Sequence, residues 1–182
     1  MSIYSWLFKG NRTRPPTDLI KSAELSMTDL RSTSSVLSVR RVRPEAVIPT
    51  RGSALSSGLD LYAVCPNGHV DLNPTQRARI PTGLKLKIPA GYEAQVRPRS
   101  GLADKFGVTV LNAPGTIDQD FPGELEVLLI NLGQEVFRVL PGARIAQLVI
   151  CPVELTRVVE ESGEEDPALH TGRTGGFGST GL

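Results

Sequence analysis

The chain has 182 residues, of which 40% are hydrophobic and 21% are charged, and its formal net charge is +1. This composition is typical of one globular domain with a modest extension, and it excludes a wholly disordered chain. No apolar run approaches the ~18 residues that a membrane helix needs, so we expect no membrane association. The small net charge gives no basis for direct nucleic-acid binding.

Sparse cysteine and histidine limit the chemistry that we expect. Cys65 and Cys151 are too few for a disulfide framework, and residues 1–10 lack the long apolar region of a secretory signal. We therefore expect an intracellular protein, cytoplasmic in location, with reduced thiols. His69 and His170 lie outside any HExxH motif or Cys/His cluster, which argues against a zinc site built by protein side chains.

The N-terminal segment differs from the rest of the chain. Residues 1–43 carry eight basic and three acidic side chains, whereas residues 154–166 carry six acidic side chains and only Arg157 as a base. The Pro15-Pro16 pair and a Ser/Thr-rich stretch mark residues 1–38 as a basic extension. We expect a partly disordered tail or one short amphipathic helix, and docking of an unknown partner is the alternative role.

From residue 39 onward the pattern is that of a β protein. Short apolar runs recur between turn signals, and the chain has 18 Gly, 14 Pro and only 5% aromatic residues. These features predict an all-β antiparallel sandwich or barrel with little helix. The predicted strands are residues 39–42, 59–63, 77–80, 84–88, 92–96, 108–111, 125–130, 136–140 and 144–150.

Two segments interrupt this pattern with residues that suggest an anion site. Asp60 lies between apolar residues of one predicted strand, and its alternative interpretation is an ordinary solvent-facing acid. Arg97, Arg99 and Ser100 cluster in one turn, where Arg offers planar donors that suit phosphate oxygens. Gly101 frees the adjacent backbone for an anion nest, and surface ion pairing is the alternative.

Two further segments suggest contacts to a ligand. Residues 112–123 predict a Gly/Pro-rich hairpin that a ligand approaches closely, with Asp118 and Asp120 on one side of a strand unless the turn rotates one of them. An Asx-type turn is the alternative for these acids. Residues 176–181 satisfy GxGxxG, but no helix follows, so this is no dinucleotide fingerprint. A tail that folds over a nucleotide is predicted instead, with a disordered tail as the alternative.

Taken in order, these segments resemble the five motifs of the trimeric dUTP pyrophosphatase (dUTPase) family. The matching stretches are residues 57–62, 98–102, 115–123, 142–148 and 173–182. The resemblance runs from about residue 39 to residue 182 and leaves the N-terminal extension outside.

The family implies a jelly-roll-like β fold and a homotrimer. Residues 39–170 would form the core, and residues 171–182 would form a C-terminal arm that is exchanged between subunits and closes a site built by the others. The activity implied is hydrolysis of dUTP to dUMP and pyrophosphate with Mg²⁺. This reaction limits uracil in DNA and supplies dUMP for thymidylate synthesis.

The resemblance also implies roles for the reacting groups. Asp118 would be the base that activates the water attacking the α-phosphorus, a role that typically contributes ~10²–10⁴-fold. Gln147 would lie near that water and the α-phosphate. Asp60 would reach Mg²⁺ through water, while the substrate phosphates hold most of the metal shell. The residues implied to hold the phosphates are Arg99, Ser100 and Gly101.

The remaining implied roles concern the nucleoside and the arm. Asn112 and the hairpin backbone at Gly115, Thr116 and Ile117 would read uracil and leave no room for a 5-methyl group. Phe121 would lie beneath the deoxyribose. The arm would contribute a base-stacking ring, γ-phosphate contacts and a flexible glycine, and its residues are Phe177, Arg173, Ser179, Thr180 and Gly178.

Three positions depart from the family pattern. Phe121 stands where a tyrosine is usual, so a phenol hydrogen bond is lost. Ala143 stands where an acid is common. The last motif is one residue short before Phe177, which leaves the direction of Arg173 open.

Two other functions stay open at this point. One is a dCTP deaminase or a bifunctional deaminase–pyrophosphatase, since Glu124 and Glu126 follow the third motif. The other is a non-catalytic interaction module whose working part is the basic N-terminus.

Overall fold

The structure is a computed structural model that describes residues 35–160, 162 and 163. In this part of the chain, no helix is long and apolar enough to cross a membrane. The described elements are twelve strands and one short helix, in the order β1 (Ser38–Arg41), β2 (Thr50–Arg51), β3 (Leu59–Tyr62), β4 (Val70–Leu72), β5 (Arg77–Pro81), β6 (Leu84–Lys87), β7 (Tyr92–Arg97), α1 (Ser100–Phe106), β8 (Val108–Val110), β9 (Gly115–Ile117), β10 (Glu126–Asn131), β11 (Phe137–Val139) and β12 (Arg144–Pro152).

The strands form one large sheet and three smaller ones. The large sheet has the order β2-β3-β12-β7-β9, and a three-stranded sheet has the order β5-β10-β8. Two ribbons, β1-β6 and β4-β11, complete the set. Every pairing is antiparallel, which confirms the all-β, jelly-roll-like prediction.

A single hydrophobic cluster fills the interior. Alternation along the strands supplies it: in β10, Val127, Leu129 and Asn131 are fully buried, whereas the two residues between them are half-buried. Burying each large aliphatic side chain contributes roughly 1.5–3 kcal/mol. The largest fully buried aliphatic side chains are Leu61, Leu72, Ile80, Leu84, Leu125, Leu129, Ile145 and Leu148.

Asn131 is a polar side chain inside this cluster, and all of its hydrogen-bonding groups are used. Its Nδ2 donates to the carbonyls of Leu72, at 2.8 Å, and of Glu135, at 2.7 Å. Its Oδ1 accepts from the Gly133 amide at 2.9 Å. A buried amide is stable only when it is paired in this way, so Asn131 joins β10 to β4 and to the loop before β11.

All nine predicted strands are present, with ends that differ by one or two residues. The sequence missed β2, β4 and β9, which have only two or three residues and depend on their neighbours' hydrogen bonds rather than on their own periodicity. It also missed α1, a seven-residue helix with no side-chain N-cap. Gly107 ends α1 with φ 67°, and a Cβ there would lie 2.5 Å from the Gly133 amide nitrogen.

An ion pair links the segment after β1 to the loop before β10. Arg43 donates from Nε and Nη2 to the two carboxylate oxygens of Glu124, at 2.8 and 2.9 Å. The Gly83 amide donates to the same carboxylate at 2.9 Å. The Arg43 guanidinium and then the Gly83 amide lower the pKa of Glu124 below 4.5, against the opposing effect of burial.

We predict that this pair makes the fold sensitive to acid. Because the folded-state pKa of Glu124 is lowered, its contribution is present above the unfolded pKa of about 4.5 and is lost as the pH falls through the folded value. Glu124→Gln should cost about 1 kcal/mol of unfolding free energy at pH 7, since Arg43 is partly exposed and water screens the pair. Urea unfolding from pH 7 to pH 3 measures this.

The variant should show a shallower loss of stability below pH 4.5 than the parent protein. Glu154→Gln, at an exposed position, is the control and should follow the parent curve. Parallel curves for Glu124→Gln and the parent would contradict the prediction.

Candidate functional site

Asp60 is the buried acid around which one part of the site is built. It lies on β3 directly opposite Gln147 on β12, and the residue is only 7% exposed. The interpretation of Asp60 as a solvent-facing acid is therefore wrong. A buried carboxylate requires compensating charge or hydrogen bonds.

Two arginines supply that charge. Arg99 Nε lies 3.5 Å from Asp60 Oδ1, and Arg144 Nη1 lies 3.3 Å from Asp60 Oδ2. Arg99 Nη1 also donates to the Arg144 carbonyl at 2.9 Å. Two guanidiniums around one carboxylate leave this cluster with a net positive charge, which suits an anionic ligand.

A register shift in β12 brings Arg144 into the cluster. Arg144 pairs with Tyr62 and Ala146 pairs with Leu61, so β12 has one extra residue here, as in a β-bulge. Tyr62 and Asp60 share a face by the period of two, and directly paired residues point the same way. Arg144 therefore lies on the Asp60 face together with Gln147, although the two are three positions apart and regular alternation would place them on opposite faces.

The start of α1 lies beside this cluster. Ser100 and Gly101 follow Arg99 directly and form the first residues of the helix. The first amides of a helix have no partner within it and point outward along its axis. Arg97 pairs with Gln147 in the sheet, and its side chain donates to Gln95 Oε1 at 3.1 and 2.6 Å.

Gln147 is positioned by close packing on a glycine. A Cβ at Gly58 would lie 3.1 Å from both Gln147 Cβ and Gln147 Oε1. Such contacts are tighter than a side chain normally makes, so the side chain of Gln147 occupies the space that glycine leaves open.

The predicted uracil-reading residues lie on and before β9. Gly115, Thr116 and Ile117 form this edge strand, which pairs with Val96, Gln95 and Ala94 of β7. A Cβ at Gly115 would lie 3.1 Å from Asn112 Nδ2, so the Asn112 amide packs on the glycine backbone. The predicted close approach of a ligand to this backbone stays a prediction.

The two acids of this hairpin are not on a strand. Asp118 follows β9 and Asp120 lies in a turn, so the prediction that they share one side of a strand is wrong. The Phe121 amide donates to the Asp118 carbonyl at 3.2 Å, which closes that turn. Phe121 is 43% exposed, and its ring covers Gly123, where a Cβ would lie 2.6 Å from ring carbon Cζ.

A cleft of about 680 Å³ opens beside Asp118. Three carboxylates reach it, together with the ring of Tyr92 and two aliphatic side chains from the chain after β12. The residues lining it are Gly91, Tyr92, Glu93, Asp118, Gln119, Asp120, Val153 and Leu155.

Within one chain, this cleft and the Asp60 cluster lie at opposite ends of β7. Gln147 pairs with Arg97 at the C-terminal end of β7, whereas Ile117, the residue before Asp118, pairs with Ala94. At about 3.3 Å per residue, Asp118 and Gln147 are separated by roughly 13 Å along the strand direction. The structure therefore does not bring the two predicted catalytic residues together within one chain.

The predicted residues of the C-terminal arm lie beyond the part of the chain that the structure describes. Arg173, Phe177, Gly178, Ser179 and Thr180 lie outside the described residues, as do residues 1–34 of the extension. Among the described residues, no group of three or more His, Cys, Asp and Glu side chains is arranged to hold a metal ion.

Two residues of the cluster were missed as site residues by the sequence reasoning. Arg144 lies in the fourth motif, but strict alternation places it on the face opposite Gln147. Gly58 lies in the first motif, but its packing against Gln147 is a contact between distant parts of the chain, which the neighbouring sequence does not indicate. The acids considered for deamination are both paired: Glu124 with Arg43, and Glu126 with Arg79 Nε at 3.6 Å.

Comparisons with known proteins agree on one family. The dUTPase family profile matches residues 44–181. A deoxyuridine 5'-triphosphate nucleotidohydrolase of Syntrophotalea carbinolica is 51% identical over 148 residues, which cover 80% of this chain and 97% of that protein. The protein of the same name from Methylocella silvestris is 54% identical over 135 residues, which cover 74% of this chain and 82% of that protein.

Solved structures give the same result. A mutant dUTPase of Staphylococcus bacteriophage 80alpha with dUpNHpp has a TM-score of 0.70 and 25% identity, and the match covers 81% of this chain and 99% of that one. Another mutant of this phage enzyme with dUpNHpp has a TM-score of 0.67 and 27% identity, with the same coverage.

We predict that Gly58→Ala displaces the Gln147 side chain without unfolding the protein. The added methyl group must push Gln147 by a few tenths of an ångström, because its carbonyl oxygen and Cβ both lie 3.1 Å away. The displacement should shift the Gln147 side-chain amide signals in a ¹H–¹⁵N NMR spectrum.

Gly52→Ala is the matched control, since a Cβ there meets only Ser56 Oγ at 3.9 Å. It should leave the Gln147 signals in place. Unchanged signals in Gly58→Ala would contradict the packing described here.

Proposed function

The chain belongs to the dUTPase family and hydrolyses dUTP to dUMP, and on that premise we propose how its residues divide the reaction. The observation that carries the proposal is the separation of a positive cluster and an acidic cleft along β7. Arg99 and Arg144 surround Asp60 at one end. Asp118 and its cleft lie at the other end.

The positive end binds the triphosphate. The Arg99 guanidinium offers a planar set of donors, and the amides of Ser100 and Gly101 point out of the first turn of α1. The net positive charge around Asp60 supports this assignment, because a triphosphate brings several negative charges into a poorly solvated site.

Asp60 would hold Mg²⁺ through water beside the substrate phosphates. One buried carboxylate fits this role, since Mg²⁺ keeps several waters and takes few protein ligands. Bound there, the ion neutralises phosphate charge and orients the triphosphate. A phage phi11 dUTPase is described with a structural Mg(II) ion, which agrees with metal use in this fold.

The β9 hairpin reads the nucleoside. Asn112 has both a donor and an acceptor for a base edge, and the backbone of Gly115, Thr116 and Ile117 lies beside it. The exposed ring of Phe121 lies beneath the deoxyribose and excludes a 2′-hydroxyl by size alone. A tight hairpin leaves no space for the methyl group of thymine.

Asp118 acts as the general base, and Gln147 orients the water that attacks the α-phosphorus. The water's proton passes to the Asp118 carboxylate as the oxygen–phosphorus bond forms, and pyrophosphate leaves. The reaction requires both groups near one phosphorus atom. The roughly 13 Å between them along β7 supports a site that combines Asp118 of one subunit with Gln147 of another.

We therefore infer a homotrimer with sites between subunits. The arm, residues 171–182, closes each site: Phe177 stacks on the base, while Arg173, Ser179 and Thr180 contact the γ-phosphate and Gly178 lets the chain bend. In the intracellular, cytoplasmic setting that we propose, the reaction limits uracil in DNA and supplies dUMP for thymidylate synthesis.

Substrate specificity tests this proposal directly. We expect pyrophosphate release from dUTP with Mg²⁺, little release with a chelator, and little from dCTP, dTTP or UTP. A phosphate-release assay coupled to pyrophosphatase measures all of these. Comparable turnover of UTP would show that Phe121 does not exclude the 2′-hydroxyl, and ammonia release from dCTP would favour a deaminase.

Mixing two inactive variants tests the shared site. Asp118→Asn should reduce turnover by roughly 10²–10⁴-fold while nucleotide binding remains. Arg99→Met should weaken binding instead. When the two variants are unfolded, mixed equally and refolded, random assembly gives roughly a quarter of sites with both native residues, and activity should reappear to that extent.

Each variant refolded alone is the control for this experiment. An inactive mixture would contradict a site that takes Asp118 and Arg99 from different subunits. Near-native turnover of Asp118→Asn alone would contradict its role as the base.

A further inference from the structure

The ion pairs at Asp60 are looser than the two bidentate arginine–carboxylate pairs among the described residues, Arg43–Glu124 and Arg138–Asp71. Arg99 and Arg144 approach Asp60 only to 3.5 and 3.3 Å. By contrast, Arg138 holds both oxygens of Asp71 at 2.7 and 2.8 Å. Neither arginine at Asp60 is therefore fully engaged by the carboxylate.

Arg99 in particular has a donor without a partner. Its Nε is buried and makes no hydrogen bond, although Asp60 Oδ1 lies 3.5 Å away. A buried, unpaired donor beside a carboxylate is strongly drawn to it, because charge-assisted hydrogen bonds are strong in a poorly solvated site. A small movement would convert this contact into a tight pair.

Arg144 opposes that movement in two ways. Its guanidinium takes the second carboxylate oxygen, Oδ2, and so shares the charge of Asp60. Its backbone carbonyl accepts a hydrogen bond from Arg99 Nη1 at 2.9 Å and fixes the Arg99 side chain at its far end. The register shift in β12 is what allows one residue to reach both partners.

We propose that Arg144 is a positioning residue that keeps Asp60 from capturing Arg99, so that Arg99 stays available for substrate phosphate. The proposal rests on the phosphate-binding role of Arg99 proposed above. Without the Arg144 side chain, the Arg144 carbonyl still holds Arg99 Nη1, but Asp60 carries its full charge and closes on Arg99 Nε, so the guanidinium is no longer available to phosphate. Arg144 thus acts on substrate binding through Asp60, without contact to the substrate.

The test measures dUTP hydrolysis with Mg²⁺ in Arg144→Met and Arg144→Lys. We expect Arg144→Met to raise KM by about tenfold, the size of one charge-assisted hydrogen bond, with kcat little changed. Arg144→Lys keeps the charge and should recover part of the loss. Arg138→Met removes an exposed ion pair on another sheet and should leave KM unchanged.

A double-mutant cycle separates this mechanism from direct substrate contact. Binding of dUpNHpp with Mg²⁺, measured by calorimetry, should weaken about tenfold in Arg144→Met but hardly change when the same substitution is made in Asp60→Asn, where no carboxylate competes for Arg99. An equal loss in both backgrounds would overturn the proposal. An unchanged KM in Arg144→Met would also overturn it. So would a fall in the thermal unfolding temperature of Arg144→Met that is large enough to account for the weaker binding.

The two proposals fail in different ways. If the parent protein binds dUpNHpp but Arg99→Met binds it equally well, the phosphate role of Arg99 fails. If Arg99→Met weakens binding and Arg144→Met does not, only the positioning role fails.

Discussion

Strand β12 is the element on which the geometry of the site depends. It lies between β3 and β7, and Gln147 is in register with Asp60 on one side and with Arg97 on the other. These two strand pairings place the Gln147 amide, the buried Asp60 carboxylate and the end of β7, which leads into α1, in one row across the sheet. Since a slip of one residue would turn every side chain of the strand to the opposite face, the hydrophobic residues that fix β12 in the core also fix the chemistry.

Opposite charges collect at the two ends of β7, the neighbour of β12 in the sheet. At the C-terminal end of β7, two guanidiniums outnumber one carboxylate. At the N-terminal end, Glu93, Asp118 and Asp120 reach one cleft. One chain therefore presents a positively charged end and an acidic end that do not meet within it. Each is suited to a different part of a nucleotide reaction, one to holding phosphate and the other to accepting a proton.

Much of this arrangement could be predicted from sequence, and the failures have specific causes. The long strands follow from apolar alternation, and Asp60, Arg99 and Gln147 lie together as the motifs suggested. The burial of Asp60 could not be predicted, because it depends on arginines more than 35 positions away. Arg144 was missed because alternation assumes an unbroken register. The register shift in β12 turns Arg144 to the face opposite the one that alternation predicts. Helix α1 was missed because seven residues carry too little periodicity.

The register shift in β12 also limits how this sequence can change over evolutionary time. Arg144 and Gln147 are three residues apart, and only the extra residue between them gives both the same orientation. Deleting one residue from this stretch would leave a regular strand with an intact core pattern on one side, yet it would remove one of the two polar groups from the Asp60 face. Insertions and deletions should therefore accumulate in exposed connections, such as residues 52–56, and spare the interval from Arg144 to Gln147 in lineages that keep the activity.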